Sequence, residues 1–360
     1  MVLKTLPPQS DAGSNKDLKP APKPDPIPWA WLSLSRFLLA SIVAAQHLGD
    51  YLPGAVQQFV ASFGKVEAIF GFLLISGLSI GSSINKDADG FYVRRLKRIY
   101  PVYLFSIAYL FIVDRSAAFA STPYRWQMQL LAALLFLQNV IIPYSLVIPA
   151  WTLATEVWLY TLAPLFQKIT TRWLQWLTLG SLLFYAGYTL SRSLLHQPYF
   201  AGTMYGINLP CLAFPWLIGF LIARKWETRR QVLSLCVTCL VFHISLVAVI
   251  QIGSMWRRHT LSNFLPEYGY TTLANAFTLA CVVFILFWPH LKSPQRGSTL
   301  DRIFTFLGNI SYPLYLTHMT SYSLSQKLKL PGSLAYCGTA AIMACVCYIL
   351  VDFYSRKRRS

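Results

Sequence analysis

Charge is scarce in this 360-residue chain, and acid is scarcer still. Asp, Glu, Lys and Arg make up 12% of the residues, with 13 acids against 31 bases. A soluble globular domain carries about 25% charged residues, so a water-facing surface over most of the chain is excluded. The first 28 residues lack an apolar core segment and are rich in Pro, Lys and Asp, which excludes a signal peptide and predicts a disordered tail. No internal repeat is apparent. Cysteine pairing is also lacking. The seven cysteines are odd in number and lie almost wholly in apolar runs. Cys236-x-x-Cys239 has redox or metal spacing, but no second pair accompanies it. Packing is the expected role, and no metal site is expected.

What is present is hydrophobicity: 55% of the residues, with a mean hydropathy of +0.47. The fold class predicted is all-α, a polytopic integral membrane protein whose domain covers 29–355 between the tail 1–28 and a basic tail 356–360. Spans are predicted at about 29–52, 59–84, 100–113, 150–167, 173–191, 207–223, 231–252, 271–289, 303–325 and 333–353. The apolar run Leu130–Tyr144 is only 15 residues, against the ~20 a span needs. Placing 126–144 as a re-entrant or interfacial element puts 22 Lys and Arg on one side and 8 on the other. The positive-inside rule then makes both termini cytoplasmic, with ten spans. The net charge of +18 is thereby read mostly as an orientation signal, and no nucleic-acid partner is expected. One basic loop, FYVRRLKRIYP, is left wanting an anion. Arg95 and Arg98 there lie one turn apart, able to converge on one phosphate or to contact lipid headgroups.

Few ionisable groups fall inside the predicted spans: Arg36, His47, Glu67, Glu156, His243 and His318. Such residues face an interior, a cavity or a partner. Arg36 and His47 are eleven apart, so they share a helix face about 16 Å apart along the axis. Arg36 reads either as a structural cation paired with Glu67 or Glu156, or as part of a site. His47 has the pKa range of a general base but can equally serve as an interhelical hydrogen-bonder. His243, alone in an apolar run, reads as structural. Glu156 and Tyr160 share a side of their helix, with Trp151, Thr155 and Trp158 on an adjacent face. Ser311, Tyr315 and His318 form a polar stripe of the kind that glues helices.

Taken in order, these segments resemble the membrane-bound acyltransferase-3 family, which includes the O-acetyltransferases of bacterial surface polysaccharides. The Arg-x10-His pair is matched by Arg36 and His47. A Phe-rich segment ending Ser-Gly is matched by Phe70, Phe72, Ser76 and Gly77. An Arg-x-x-Arg loop followed by Ile-x-Pro-x-Tyr is matched by Arg95, Arg98, Ile99, Pro101 and Tyr103. The Trp-Ser-Leu-x-x-Glu-x-x-x-Tyr signature is matched by Trp151, Leu153, Glu156 and Tyr160, with Thr152 for Ser. The last element is matched by Ser311, Tyr312, Tyr315, Leu316 and His318. Members often carry an acid seven residues before the Gly; here Phe70 stands there and Glu67 lies one turn earlier.

The resemblance implies an acyltransferase of the bacterial inner membrane. It would move an acyl group, with acetyl expected, from acyl-CoA to a hydroxyl of a cell-envelope glycan or glycolipid. Acyl-CoA would be a donor substrate, and no permanently bound cofactor is expected. Arg95, Arg98, Arg36 and Tyr103 are the implied donor-binding residues. His47 is the implied general base or acyl-carrying nucleophile, with Glu156 orienting it. Trp151, Tyr160, Ser311, Tyr315, His318 and Glu67 are implied as support. No appended hydrolase-like domain follows the last span, so transfer is expected to be completed by this domain alone or with a separate partner. The competing class is a transporter or flippase of a lipid-linked glycan, which would also use intramembrane charges. Discontinuous helices in paired repeats would favour it, and Pro210 and Pro215 have no matching second half. A purely structural envelope protein leaves Arg36 and His47 unexplained.

Overall fold

The computed structural model describes residues 27–49, 62–120, 124–224, 226–288 and 291–357. The expected N-terminal tail up to 26, the ends of the first two spans at 50–52 and 59–61, and residues 358–360 lie outside the described residues. Among the described residues the chain is helical, with no β-strand. Eleven α-helices follow one another: α1 Trp29–Leu48, α2 Lys65–Lys86, α3 Phe91–Ala120, α4 Trp126–Leu134, α5 Ala150–Lys168, α6 Thr171–Leu195, α7 Asn208–Arg224, α8 Arg230–Arg257, α9 Tyr270–Phe287, α10 Thr299–Lys327 and α11 Gly332–Lys357.

Six of these are long and apolar enough to cross a membrane: α1, α2, α3 as far as Asp114, α8, α9 and α11 from Gly332 to Asp352. Three more, α5, α6 and α10, have 19, 25 and 29 residues, which is long enough at 1.5 Å per residue. They fall short in hydropathy because they carry polar groups; α10 buries Ser311, Thr317, His318, Thr320, Ser321 and Ser325. Helix α7 is apolar but only 17 residues long. Helix α4, at 9 residues, is too short to cross.

The FYVRRLKRIYP stretch is a helix rather than a loop. Gly90, at φ +65, closes a turn, and the Arg94 N–H donates to the Gly90 carbonyl. The run of Arg, Leu and Lys that follows favours helix, so α3 starts at Phe91 instead of about 100. Pro101 therefore sits well inside the helix, not in its first turn, and gives no N–H to the Lys97 carbonyl. The helix breaks at Asp114 (φ −146, ψ 54). There Asp114 accepts from Lys327 Nζ at 2.9 Å, tying α3 to the end of α10.

Helix α2 is the centre of the packing, with 15 of its 22 residues buried. It meets α7 backbone to backbone. A Cβ on Gly77 would lie 1.9 Å from the Trp216 carbonyl oxygen, and one on Gly219 would lie 1.9 Å from that of Leu74. Gly81 faces Ala223 one turn on. Small residues at i and i+4 on both helices permit this approach. Trp216 and Phe220 stack beside the seam, ring centroids 5.2 Å apart.

The stretch after α4 is irregular. Gln138 Nε2 donates to the Ala150 carbonyl, and Trp158 Nε1 donates to Phe136 O at 3.0 Å. Asn139, in the left-handed region at φ 63, gives its amide to the carbonyls of Phe200, Ala201 and Thr203. This short segment thus holds the start of α5 and the 200–203 turn together.

Candidate active site

Helices α1 and α10 run side by side. Gly308 lies against Ser33, and the Tyr322 hydroxyl donates to Ala44 O at 2.9 Å. That pairing brings His47 and His318 together: Nδ1 of His47 is 2.9 Å from Nε2 of His318, with the rings stacked at 5.2 Å. His318 is wholly buried, whereas His47 is half-buried. The other nitrogen of His318, Nδ1, is 3.2 Å from the Leu314 carbonyl. A carbonyl can only accept, so that nitrogen carries the proton, and Nε2 of neutral His318 must accept. His47 Nδ1–H therefore donates to it. Among the described residues this leaves the lone pair on His47 Nε2 free, the arrangement a general base requires. The group that orients His47 is His318, not Glu156 as the sequence led one to expect.

Glu156 instead belongs to a polar cluster facing the Trp29 end of α1. Its carboxylate has the Ser76 and Tyr160 hydroxyls as hydrogen-bond partners and the Arg36 and Arg98 guanidiniums as electrostatic neighbours. Ser76 and Tyr160 are themselves hydrogen-bonded at 2.9 Å. Arg36 has Arg98, Arg95, Tyr160 and Glu156 as its electrostatic neighbours. Three guanidiniums are thus electrostatic neighbours of one carboxylate, and the excess positive charge calls for an anion. Beside them lies a cavity of about 350 Å3 lined by Trp29, Arg36, Ser79, Ser82, Ser83, Lys86, Asp87, Arg94 and Arg98. Arg94 is paired with Asp87 at 2.6 Å. Arg95 does not line this cavity. It lies over the Phe91 ring at 5.6 Å, half-buried, with Nε unpartnered.

The Trp151 motif supports the histidine pair. Thr152 Oγ1 and Tyr315 OH are 2.7 Å apart, so the hydroxyl a Ser would supply is retained by Thr. Tyr315 stands one turn before His318 on α10. Ser311 Oγ donates to Gly308 O at 2.7 Å, and Trp151 meets the edge of Tyr199 at 6.1 Å. Tyr103 is fully buried, stacked on Phe136 at 5.0 Å and accepting from Gln138. Its place is in the packing that seats α5, away from the basic cavity.

The acyltransferase-3 family model, described as an acyltransferase domain, matches residues 29–352. The chain belongs to the acyltransferase-3 family. This acyltransferase is also 27% identical over 258 residues to "Putative acetyltransferase ORF330" of Acidianus two-tailed virus, a match covering 69% of this chain and 68% of that protein. No solved structure matches it.

Two further groups of the acyltransferase lie apart from the histidine pair. Glu67 and His243 are buried together, Nε2 of His243 being 3.0 Å from Glu67 Oε1. The Tyr185 hydroxyl is 2.8 Å from His243 Nδ1. With Nε2–H donating to the carboxylate and Nδ1 accepting from Tyr185, a neutral imidazole satisfies every group. Glu67 is therefore not the partner of Arg36. Phe70, at the position where relatives often carry an acid, packs edge-on against His243 at 4.7 Å. Glu67→Ala leaves a buried N–H unpaired and is expected to cost about 1–3 kcal/mol of stability. Transfer per folded molecule should be retained; a thermal melt paired with an activity assay checks both.

The sequence reading missed the serines of the cavity and the partnership of His243. Ser79, Ser82 and Ser83 share one face of α2 by their i, i+3, i+4 spacing, and that spacing was available as a signal. The contact between Glu67 and His243 joins positions 176 apart, for which no local pattern exists.

Proposed function

We propose that this acyltransferase moves an acyl group, with acetyl the expected one, from acyl-CoA to a hydroxyl of a cell-envelope glycan or glycolipid. In this reading it sits in a bacterial inner membrane with about ten spans, both termini cytoplasmic and 126–144 re-entrant or interfacial. The observation that carries the reading is the placement of two unlike sites on one helix. A basic cavity adjoins Arg36, and an oriented, accessible imidazole sits at His47, roughly 16 Å further along α1. An extended pantetheine arm spans about that distance.

The CoA phosphates would rest on Arg98 and Arg36 at the basic end. The thioester would then reach His47, with Arg36 steering the arm rather than touching the sulfur. His47 Nε2 takes the proton of the acceptor hydroxyl as its oxygen attacks the thioester carbonyl. The carbon–sulfur bond breaks, the CoA thiolate leaves, and the proton on His47 passes to it. His318 holds the imidazole in the required tautomer, a role a carboxylate plays in hydrolytic triads.

Arg98→Ala tests the donor end. It should raise the KM for acetyl-CoA by about 10–100-fold, the worth of one charge-assisted hydrogen bond, while kcat changes little. Purified protein assayed with acetyl-CoA and a sugar as hydroxyl acceptor, for release of free CoA, gives both numbers; an unchanged KM would remove Arg98 from donor binding.

A further inference from the structure

Buried polar atoms without a partner are uncommon in folded proteins, and each calls for a reason. Three of them lie at the basic cavity or near the Glu156 cluster. Ser82 Oγ is at the basic cavity, Arg95 Nε is beside it, and the Tyr312 hydroxyl is deeper. Tyr312 has Glu156, Tyr160, Tyr103 and Cys347 as electrostatic neighbours, and Arg95 shares Glu156 and Tyr160. Tyr312 and Arg95 thus share the neighbourhood of Glu156 and Tyr160, which also neighbour Arg36 of the cavity lining.

Depth along α10 narrows what they meet. Tyr312 precedes His318 by six residues, about 9 Å toward the cavity along the helix axis. A thioester held at His47 carries an arm that is apolar except for its amides and one hydroxyl. The second amide nitrogen is seven bonds from the sulfur, roughly 9 Å in an extended chain. That amide falls at the depth of Tyr312. A tyrosine hydroxyl can both donate to an amide carbonyl and accept from an amide N–H.

We infer that the Tyr312 hydroxyl is a positioning group for the donor, hydrogen-bonded to an amide of the pantetheine arm, with Arg95 Nε as a second donor nearer the cavity. The inference rests on acyl-CoA being the donor. It makes the donor site selective for an amide-bearing thioester arm, where a plain alkyl chain would leave these groups unpaired. Among the described residues the Tyr312 hydroxyl has no hydrogen-bond partner.

Tyr312→Phe is the test, made on the full-length protein purified in detergent with two donors, acetyl-CoA and S-acetyl-pantetheine. The second keeps both amides and lacks the nucleotide phosphates. KM should rise about tenfold for both donors, the worth of one neutral hydrogen bond, with kcat changed far less. The melting temperature without donor should not fall, because an unpaired hydroxyl is removed. Arg98→Ala run in parallel should weaken acetyl-CoA and spare S-acetyl-pantetheine. An unchanged KM for both donors in Tyr312→Phe overturns the inference, and so does a loss confined to acetyl-CoA, which would put the hydroxyl on the phosphates. If the wild-type protein neither binds nor cleaves acetyl-CoA, the donor reading itself fails and takes this inference with it.

Discussion

His47→Ala should lower acyl transfer by about a thousandfold while leaving donor binding in place. The magnitude is that of losing a positioned general base, typically 10^2- to 10^4-fold. Binding should survive because the basic cavity lies at the other end of α1, lined by Arg36, Arg98 and Lys86. The separation of effects matters: a structural histidine would lose stability and activity together. His318→Phe extends the test. It keeps ring volume and removes the nitrogen 2.9 Å from His47 Nδ1. His47 would then be free to take either tautomer, so kcat should fall with KM unchanged, by less than in His47→Ala. Equal activity in His318→Phe would break the orientation argument while leaving His47 standing.

The second large effect concerns the seam that holds the site open. Gly219→Leu and Gly77→Leu should each prevent accumulation of folded protein, and Gly219→Ala should cost at least ~1–3 kcal/mol, the usual penalty of overpacking. The obstacle is a backbone carbonyl 1.9 Å from the new Cβ, which no rotamer change can relieve. Helix α2 would have to withdraw from α7. That motion carries Ser76 away from Tyr160, now at 2.9 Å, and shifts the serines lining the cavity. Gly187 supplies the control. A Cβ there meets nothing within 4 Å, and it lies inside α6, so Gly187→Ala should be neutral or stabilise by about 0.5–1 kcal/mol. Melting of the purified variants separates the two classes.

Much of the helical framework was legible in the chain. Hydropathy and turn signals placed α5, α7 and α9 within a few residues, since apolar runs bounded by charge leave little choice. The start of α3 was misread because its first turns are basic. Clustered Lys and Arg look like a loop, yet they are good helix formers, and Gly90 supplies the turn just before them. The pairing of His47 with His318 was not legible. Each was singled out as costly in an apolar helix, but the contact depends on α1 lying along α10, and that comes from tertiary packing. The same holds for Glu156: its pairing with Arg36 was one of the alternatives left open by the residues, its orienting of His47 came from the resemblance, and only the packing places it near Arg36 and Arg98. Tyr312 entered only as part of a motif, because an unpartnered hydroxyl can be recognised only once its surroundings are known.

In the proposed mechanism thioester chemistry occurs at His47, with the donor entering from the basic end. The decisive experiment seals the purified protein into vesicles in one orientation, with a sugar as hydroxyl acceptor inside, and adds acetyl-CoA to the side of Arg98. Free CoA should be released on that same side, at a rate lost in His47→Ala vesicles. Intact acetyl-CoA appearing inside, or equal CoA release in His47→Ala, would contradict it.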